Sequence, residues 1–407
     1  MTIGPPYIPE VIKLQKKISE ETQDDITYLL GGQVVRQGKF GLTQSQFLRL
    51  FGNSSYNGNN DEVLASVLGI NPKGLILPQQ TSLIPAYKKI PDEIMKLYLS
   101  KEFGLYVSQG CHFHCDFCGA VRTIQDPVTG EWKKVVETYR EPEIIKKDLG
   151  YLVMKAKQFG ISELQIYMSN LDVFQNPNQL LSFVYAVRDV KKSHPDFDIK
   201  LRGLSTAISY DNVRDKSPKI IEELVKAGFY AVGFGVDGMA PQVWKGINKG
   251  FNNEKVCLEA IISAKEDFGI IPEVLMVFGH VGVDTEETLK LACEFTEDMI
   301  NKYKAVPRPH VAKSFIPENK GWVDRENADS IETLLKNPAS FQALDFTALP
   351  SKLTHPDDKI RELATNYFLE MCKMEGNTTQ YVKPITPDLT LEEIEEVKKS
   401  NERKYDR

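Results

Sequence analysis

Cys111, Cys115 and Cys118, in the run GCHFHCDFCGA, place three thiols within eight residues. A C-x3-C-x2-C spacing this tight can wrap thiolates around one metal centre. The chain has six cysteines in 407 residues, so composition alone does not produce the cluster. Thiolate is the soft ligand of iron–sulfur clusters and of zinc. A structural zinc closes a tetrahedron with four protein ligands, usually supplied as two pairs. The other cysteines, Cys257, Cys293 and Cys372, stand alone in stretches with helical patterning, where a lone cysteine behaves as a small buried hydrophobe. His112 and His114 lie inside the motif and keep a zinc arrangement open, on condition that they fold back on the same loop. Three thiolates on a four-iron cluster leave one iron without a protein ligand, and an open iron is a place for a substrate or cofactor to bind.

The elements that must hold this loop follow a repeated pattern. A short strand, LYVS, precedes the cysteines. After them, EPEIIKKDLGYLVMKAKQFG has helical spacing and a terminal glycine, and ISELQIYMSN reads as an apolar strand. The alternation continues with helix NPNQLLSFVYAVRDVKKSH, strand FDIKLRGLST, helix SPKIIEELVKAG, strand FYAVGFGVD, helix EKVCLEAIISAKEDFG, strand IPEVLMVFGH, helix TEETLKLACEFTEDMINKY and a last strand around RPHVAKSFI. Alternation at this spacing implies parallel strands with right-handed crossovers. About six units make an α/β fold, a partial (β/α)6 TIM-like barrel rather than the eight-unit form. In such folds ligands sit at the C-terminal ends of the strands. The residues closing the strands are therefore candidates: Ser169, Asn170 and the nearby Asp172, then Arg202 and Ser205, Asp237, Gly279 and Lys313.

With its C-x3-C-x2-C loop and an aromatic residue, Phe117, just before the third cysteine, the sequence resembles the radical S-adenosylmethionine (SAM) superfamily. The resemblance implies that Cys111, Cys115 and Cys118 hold a [4Fe–4S] cluster whose open iron is chelated by SAM. One electron then cleaves SAM to methionine and a 5′-deoxyadenosyl radical, and a reductant such as flavodoxin or ferredoxin supplies the electron. The family's other SAM contacts map onto the strand ends. Ser169 and Asn170 stand where many members carry a Gly-Gly-Glu-like motif for the SAM amino group, although the usual carboxylate is missing here. Arg202 and Ser205 match a position that reaches the SAM carboxylate or ribose. VGFGVDGMAPQVWKGINKG resembles G-x-E-S-x-x-x-x-V-x-x-x-x-x-K-G, with Asp237 toward the ribose and Lys249 and Gly250 ending a helix. FGHVGVDTEET, containing Gly279, corresponds to a glycine-rich turn that approaches adenine.

The N-terminal part, with helix PEVIKLQKKISEE and apolar strand DDITYLLGGQVV ending in Gly31-Gly32, resembles the closing part of the cobalamin-binding domain found upstream in one radical SAM subgroup. The D-x-H-x-x-G loop of that domain is absent, and the first histidine is His112; the segment looks truncated, and cobalamin is kept open as a further cofactor. The expected organisation is an N-terminal α/β segment and linker over 1–95, a radical SAM core over 96–320 and a C-terminal helical cap over 321–407. In the last of these, His355 reads as a turn residue.

The formal net charge of −6 argues against a nucleic acid as the main partner. There is no run of eighteen or more apolar residues and no signal-peptide pattern at the start, so the expectation is a cytoplasmic protein without a membrane span. The function expected is a radical SAM enzyme acting on an unidentified small molecule or peptide. The alternatives are a cobalamin-dependent radical SAM methyltransferase and, in a different class, a noncatalytic iron–sulfur or zinc-binding regulatory protein.

Overall fold

The structure, a computed structural model, describes residues 8–22, 44–52, 80–115, 117–118, 123–125, 132–134, 137–312, 335–345, 347–352, 354–355, 357–374, 383 and 389–405. Its centre is a six-stranded sheet: β1 (Phe103–Tyr106), β2 (Glu163–Ser169), β3 (Asp198–Ser205), β4 (Phe229–Gly235), β5 (Ile271–Phe278) and β6 (Val306–Val311). The strands lie side by side in chain order. Every neighbouring pair is parallel, with registers such as Tyr106 opposite Ser169 and Tyr167 opposite Arg202. This is the expected partial TIM-like barrel.

Parallel neighbours need crossovers, and the helices α1 (Pro142–Gln158), α2 (Pro177–Ser193), α3 (Ala207–Lys216), α4 (Pro218–Lys226), α5 (Pro241–Gly246), α6 (Glu254–Glu266) and α7 (Glu286–Tyr303) provide them. In α1 the buried residues Ile145, Leu149, Leu152, Val153 and Ala156 recur at helical spacing and form the stripe that packs on the sheet. Leu164, Ile166 and Met168 of β2 alternate with half-buried residues and join the same core. Asn176 caps α2 by accepting from the Gln179 N–H at 3.4 Å, and Thr206 and Thr285 cap α3 and α7 in the same way. Ser217, expected to cap α4, makes no side-chain cap hydrogen bond. The chain leaves that helix through Gly228, at φ 111°.

The other face of the sheet carries charge. Arg202 donates to both oxygens of Glu102, at 2.8 and 3.0 Å, and to Glu273 at 2.7 Å, and its guanidinium lies 5.0 Å from the centre of the Tyr167 ring. Glu273 accepts a further bond from Arg308 at 2.7 Å. Four side chains from β1's approach, β3, β5 and β6 thus pin the strands to one another across the sheet.

Helices flank the core on both sides. Helix Ile8–Glu21 precedes it, and α8 (Asp358–Lys373) follows. Ala364, Phe368 and Met371 of α8 belong to the same buried cluster as the sheet, so this helix completes the core beside β6. The last helix is Leu391–Tyr405, and Glu392, Glu393, Glu395, Glu396 and Lys399 on it are exposed. The apolar strand expected before Gly31-Gly32, and Lys313, lie outside the described residues. No helix among the described residues is long and apolar enough to cross a membrane.

Candidate active site

The cysteine loop leaves the C-terminal end of β1. Ser108 and Gln109 first pair antiparallel with Tyr139 and Thr138, and the chain turns at Gly110 with φ 101°, a conformation that favours glycine. Cys111 and Cys118 are half-buried and Cys115 is buried. The Cys118 N–H donates to the Cys115 carbonyl at 3.2 Å, closing a turn. The loop's peptide groups are held from outside. Gln175 donates to the Gly110 carbonyl at 3.2 Å and accepts from the His112 N–H at 3.4 Å. Asn248 donates to the His114 carbonyl at 2.7 Å. Phe113 packs on Phe251 with ring centres 4.3 Å apart, and Phe117 packs on Ala240, Val243 and Ile247 and lies 5.3 Å from the His280 ring. Among the described residues no three His, Cys, Asp or Glu side chains converge closely enough to share one metal ion. Thiolates on a four-iron cluster bind different irons and need no common point of convergence. The cysteines in helices behave differently: burial pushes the Cys257 and Cys293 thiols up to about 12, which keeps them inert.

The ends of β4 and β5 close over this loop. Asp237, at φ 58°, is buried and ion-paired with Lys249, which also donates to the Gly235 carbonyl. Lys249, expected to end a helix, is a buried cation. Burial alone would push it down; the Asp237 carboxylate and the Cys115 thiol hold it above the usual lysine range. Trp244 donates to the Val236 carbonyl at 2.9 Å and Asn252 to the Gly235 carbonyl at 3.2 Å. His280, through Nε2, donates to the Asp237 carbonyl at 2.9 Å. Phe117, Asp237 and His280 thus form one contiguous group beside the cysteines.

Gly279 sits under that group at φ 81°. Its N–H and that of His280 donate to Asp284 at 3.0 and 2.7 Å. His355, expected as a turn residue, is buried and donates from Nε2 to the Gly279 carbonyl at 2.8 Å. A Cβ at Gly279 would lie 2.7 Å from His355 Nε2 and 3.1 Å from Ala364 Cβ. Gly279→Ala is therefore expected to lower stability by about 2–3 kcal/mol, from left-handed strain and overpacking together, read as a shift of the urea midpoint of the metal-free protein. An unchanged midpoint would mean that α8 does not seat on this turn.

At the ends of β2 and β3 the candidates separate. Asp172 is fully buried and accepts from Ser205 Oγ at 2.7 Å, the Phe174 N–H at 3.1 Å and Thr206 Oγ1 at 2.8 Å. Burial pushes its carboxyl up, against the hydrogen bonds from Ser205, Ser209 and Thr206. Asp172 and Ser205 are thus engaged with one another, tying β2 to the start of α3. Arg202 belongs to the ion network described above and makes its contacts there. Ser169 is half-buried at the edge of β2. Asn170 is buried, and neither its amide nitrogen nor its amide oxygen reaches a partner at hydrogen-bond geometry.

Facing this position is a residue that sequence reasoning missed. Glu137 lies on the leg that pairs with Ser108 and Gln109, and it accepts from Ser108 Oγ at 2.8 Å. Burial pushes its carboxyl up to about 7, against hydrogen bonds from Ser108 and Gln175, with Asp172 adding to the rise. Because this lies above the 4.5 of a free glutamate, the folded chain holds the proton more tightly than the unfolded chain does. Its contribution favours folding below about pH 4.5 and fades as the pH climbs through about 7. Glu137→Gln, which stays neutral, is expected to flatten the loss of stability between about pH 5 and about pH 8, measured as urea midpoints of metal-free protein. Parallel midpoint curves for wild type and variant would contradict this.

The parallel sheet with a thiol-rich loop on its first strand and strand ends closing over it defines a partial TIM-like barrel with a candidate site at its C-terminal face. The model of the radical SAM superfamily matches residues 105–292 of the 407, so the chain carries a stretch similar to a radical SAM domain, and that superfamily uses a [4Fe–4S] cluster and SAM. Among solved structures, the radical SAM methyltransferase TsrM from Kitasatospora setae, with tryptophan substrate and a SAM analogue bound, aligns at a TM-score of 0.51 and 12% identity, over 77% of this chain and 60% of that one. The cobalamin-dependent SAM radical enzyme OxsB, with aqua-cobalamin and SAM bound, aligns at 0.48 and 16% identity, over 82% and 46%. Methylornithine synthase (PylB) aligns at 0.38 and 14% identity, over 76% and 85%. The chain spans between 38% and 60% of the length of the TsrM and OxsB chains. The likeness to TsrM bears on the fold alone. No curated protein matches the chain.

Proposed function

We propose that Cys111, Cys115 and Cys118 ligate a [4Fe–4S] cluster and that the protein cleaves SAM reductively to generate a 5′-deoxyadenosyl radical for use on a substrate not yet identified. The observation that carries this reading is the placement of three cysteines on one pinned loop at the end of β1, beside Phe117, Asp237 and His280. The donor set fits: soft thiolates, three in number, with a fourth iron left for a ligand. When bound, such a cluster supplies one electron and an open iron. The chain's own residues do the rest. Gln175 and Asn248 hold the loop's peptides in place. We assign Phe117 and the Gly279–His280 turn to the purine, and the Asp237 carboxylate, oriented by Lys249, to the ribose hydroxyls.

The cleavage balances simply. With SAM held beside the loop, such a cluster would supply the one electron that breaks the S–C5′ bond, giving methionine and a 5′-deoxyadenosyl radical. The electron comes from a flavodoxin- or ferredoxin-like reductant, replaced in vitro by dithionite. Anaerobically reconstituted protein given dithionite and SAM is expected to form 5′-deoxyadenosine and methionine in equal amounts. A reconstituted protein that forms neither would overturn the reading, as would stoichiometric zinc held by the same three thiols.

A further inference from the structure

We infer that Glu137, with the side-chain carbonyl of Asn170, receives the α-ammonium group of SAM, taking the place of the carboxylate missing at the end of β2. The inference rests on the function proposed above and assigns one part of that site.

Three observations support it. First, the acidic residue nearest in sequence to the end of β2, Asp172, is committed: both its oxygens accept hydrogen bonds from Ser205, Thr206 and the Phe174 N–H. Second, Glu137 is delivered to the same place by another route. Its leg is zipped to Ser108 and Gln109, just ahead of Cys111, and its carboxylate accepts from Ser108 Oγ. Gln175, which holds the peptides on both sides of Cys111, also lies beside Glu137. The carboxylate is therefore one side chain away from the cluster loop. Third, Asn170 is buried to 5% exposure with both amide atoms unbonded. The Tyr139 hydroxyl, also buried and short of hydrogen-bond geometry, lies beside Asn170 and Glu137.

An ammonium group has three donors and no acceptor. A carboxylate, an amide carbonyl and a phenolic oxygen are three acceptors of the matching kind. The neighbouring cations are already committed, Lys249 to Asp237 and Arg140 to Asp148. A positive ligand group would thus meet an uncompensated acid, and unbonded buried polar atoms would gain partners.

The test uses cluster-loaded, oxidised full-length protein, in which SAM binds without turnover. Equilibrium binding of SAM is compared with that of 5′-methylthioadenosine, which lacks the amino-acid moiety. Glu137→Gln is expected to weaken SAM about ten- to a hundred-fold, as loss of a charge-assisted hydrogen bond does, and to leave methylthioadenosine unchanged. Asn170→Ala, the second variant, should weaken SAM by a smaller factor with the same selectivity. Iron content per chain, measured on each protein, shows that the loop still holds its cluster. Equal SAM affinity in Glu137→Gln and wild type would overturn the inference and leave the proposed function standing. A parallel loss for both ligands would also overturn it, because Glu137 would then act only by holding the loop. Failure of wild-type protein to bind SAM at all would instead remove the functional reading on which the inference rests.

Discussion

Cys115→Ala protein is expected to fold, to lose its cubane cluster on reconstitution, and to form no 5′-deoxyadenosine. The side chain sits at the centre of the motif, is the most buried of the three thiols, and belongs to a turn closed by the Cys118 N–H on its carbonyl. Two thiolates cannot hold a four-iron cluster with the same permanence as three. The loss of one small side chain from a loop whose peptides are pinned by Gln175 and Asn248 leaves the fold its other anchors. Cys293→Ala is the matched control. That thiol is buried in α7 and pushed up to about 12 by its surroundings, so its removal should cost about 1 kcal/mol of packing and leave iron content unchanged. Iron and acid-labile sulfide per chain measure both. Equal iron in Cys115→Ala and wild type would show that the metal is held elsewhere.

Arg140→Ala is expected to cost about 3–5 kcal/mol of stability, the range for removing one partner of a buried ion pair. Arg140 and Asp148 are both fully buried, with Nη2 to Oδ2 at 2.6 Å. Arg140 also donates to the carbonyls of Thr81 at 2.8 Å and Tyr106 at 3.1 Å. Asp148 accepts from Ser82 Oγ at 2.5 Å and from the Leu83 N–H at 3.0 Å. One pair thus fastens the segment before the barrel, the end of β1 and the start of α1 to each other. Its loss strands a carboxylate in the core and frees the leg that carries Glu137. The double variant Arg140→Met, Asp148→Leu should lose much less than the single one, since an apolar pair leaves no buried charge. Urea midpoints of metal-free protein give both values. A loss below about 1 kcal/mol for Arg140→Ala would mean that water reaches the pair.

The strands of this protein were legible because each is an apolar run closed by a glycine or a polar turn, and the crossovers followed from helical spacing. Where the reading slipped, long-range contacts explain it. The first strand begins at Phe103 rather than Leu105, since Phe103 is buried opposite Ile166, while Ser108 belongs to a different pairing, with Tyr139. Helix α3, AISYDNVRDK, has weak amphipathic patterning and depends on its Thr206 cap, itself fixed by Asp172.

The three-cysteine cluster was legible from spacing, whereas Phe117 stood out only through the resemblance to the radical SAM signature. Lys249 was not, because an exposed setting is the usual one for lysine and its partner Asp237 comes from the end of a neighbouring strand. Arg202 illustrates the reverse: its place near a strand end suggested a ligand contact, but two carboxylates from separate elements occupy its guanidinium. Glu137 lies in a charged stretch, KKVVETYRE, that carries no motif. The one local clue is Pro142 in the first turn of α1, which marks a helix start. The residues just before it must return across the end of β1 to enter that helix.

The central claim is that the three-cysteine loop holds a cluster with an iron open to SAM. It is tested most directly by EPR of the anaerobically reconstituted, dithionite-reduced protein with and without SAM. The account predicts a cubane signal in wild type whose g-values shift when SAM is added. A cluster signal indifferent to SAM, or a protein that takes up zinc and shows no cluster signal, would contradict it and make the loop a structural or sensing site.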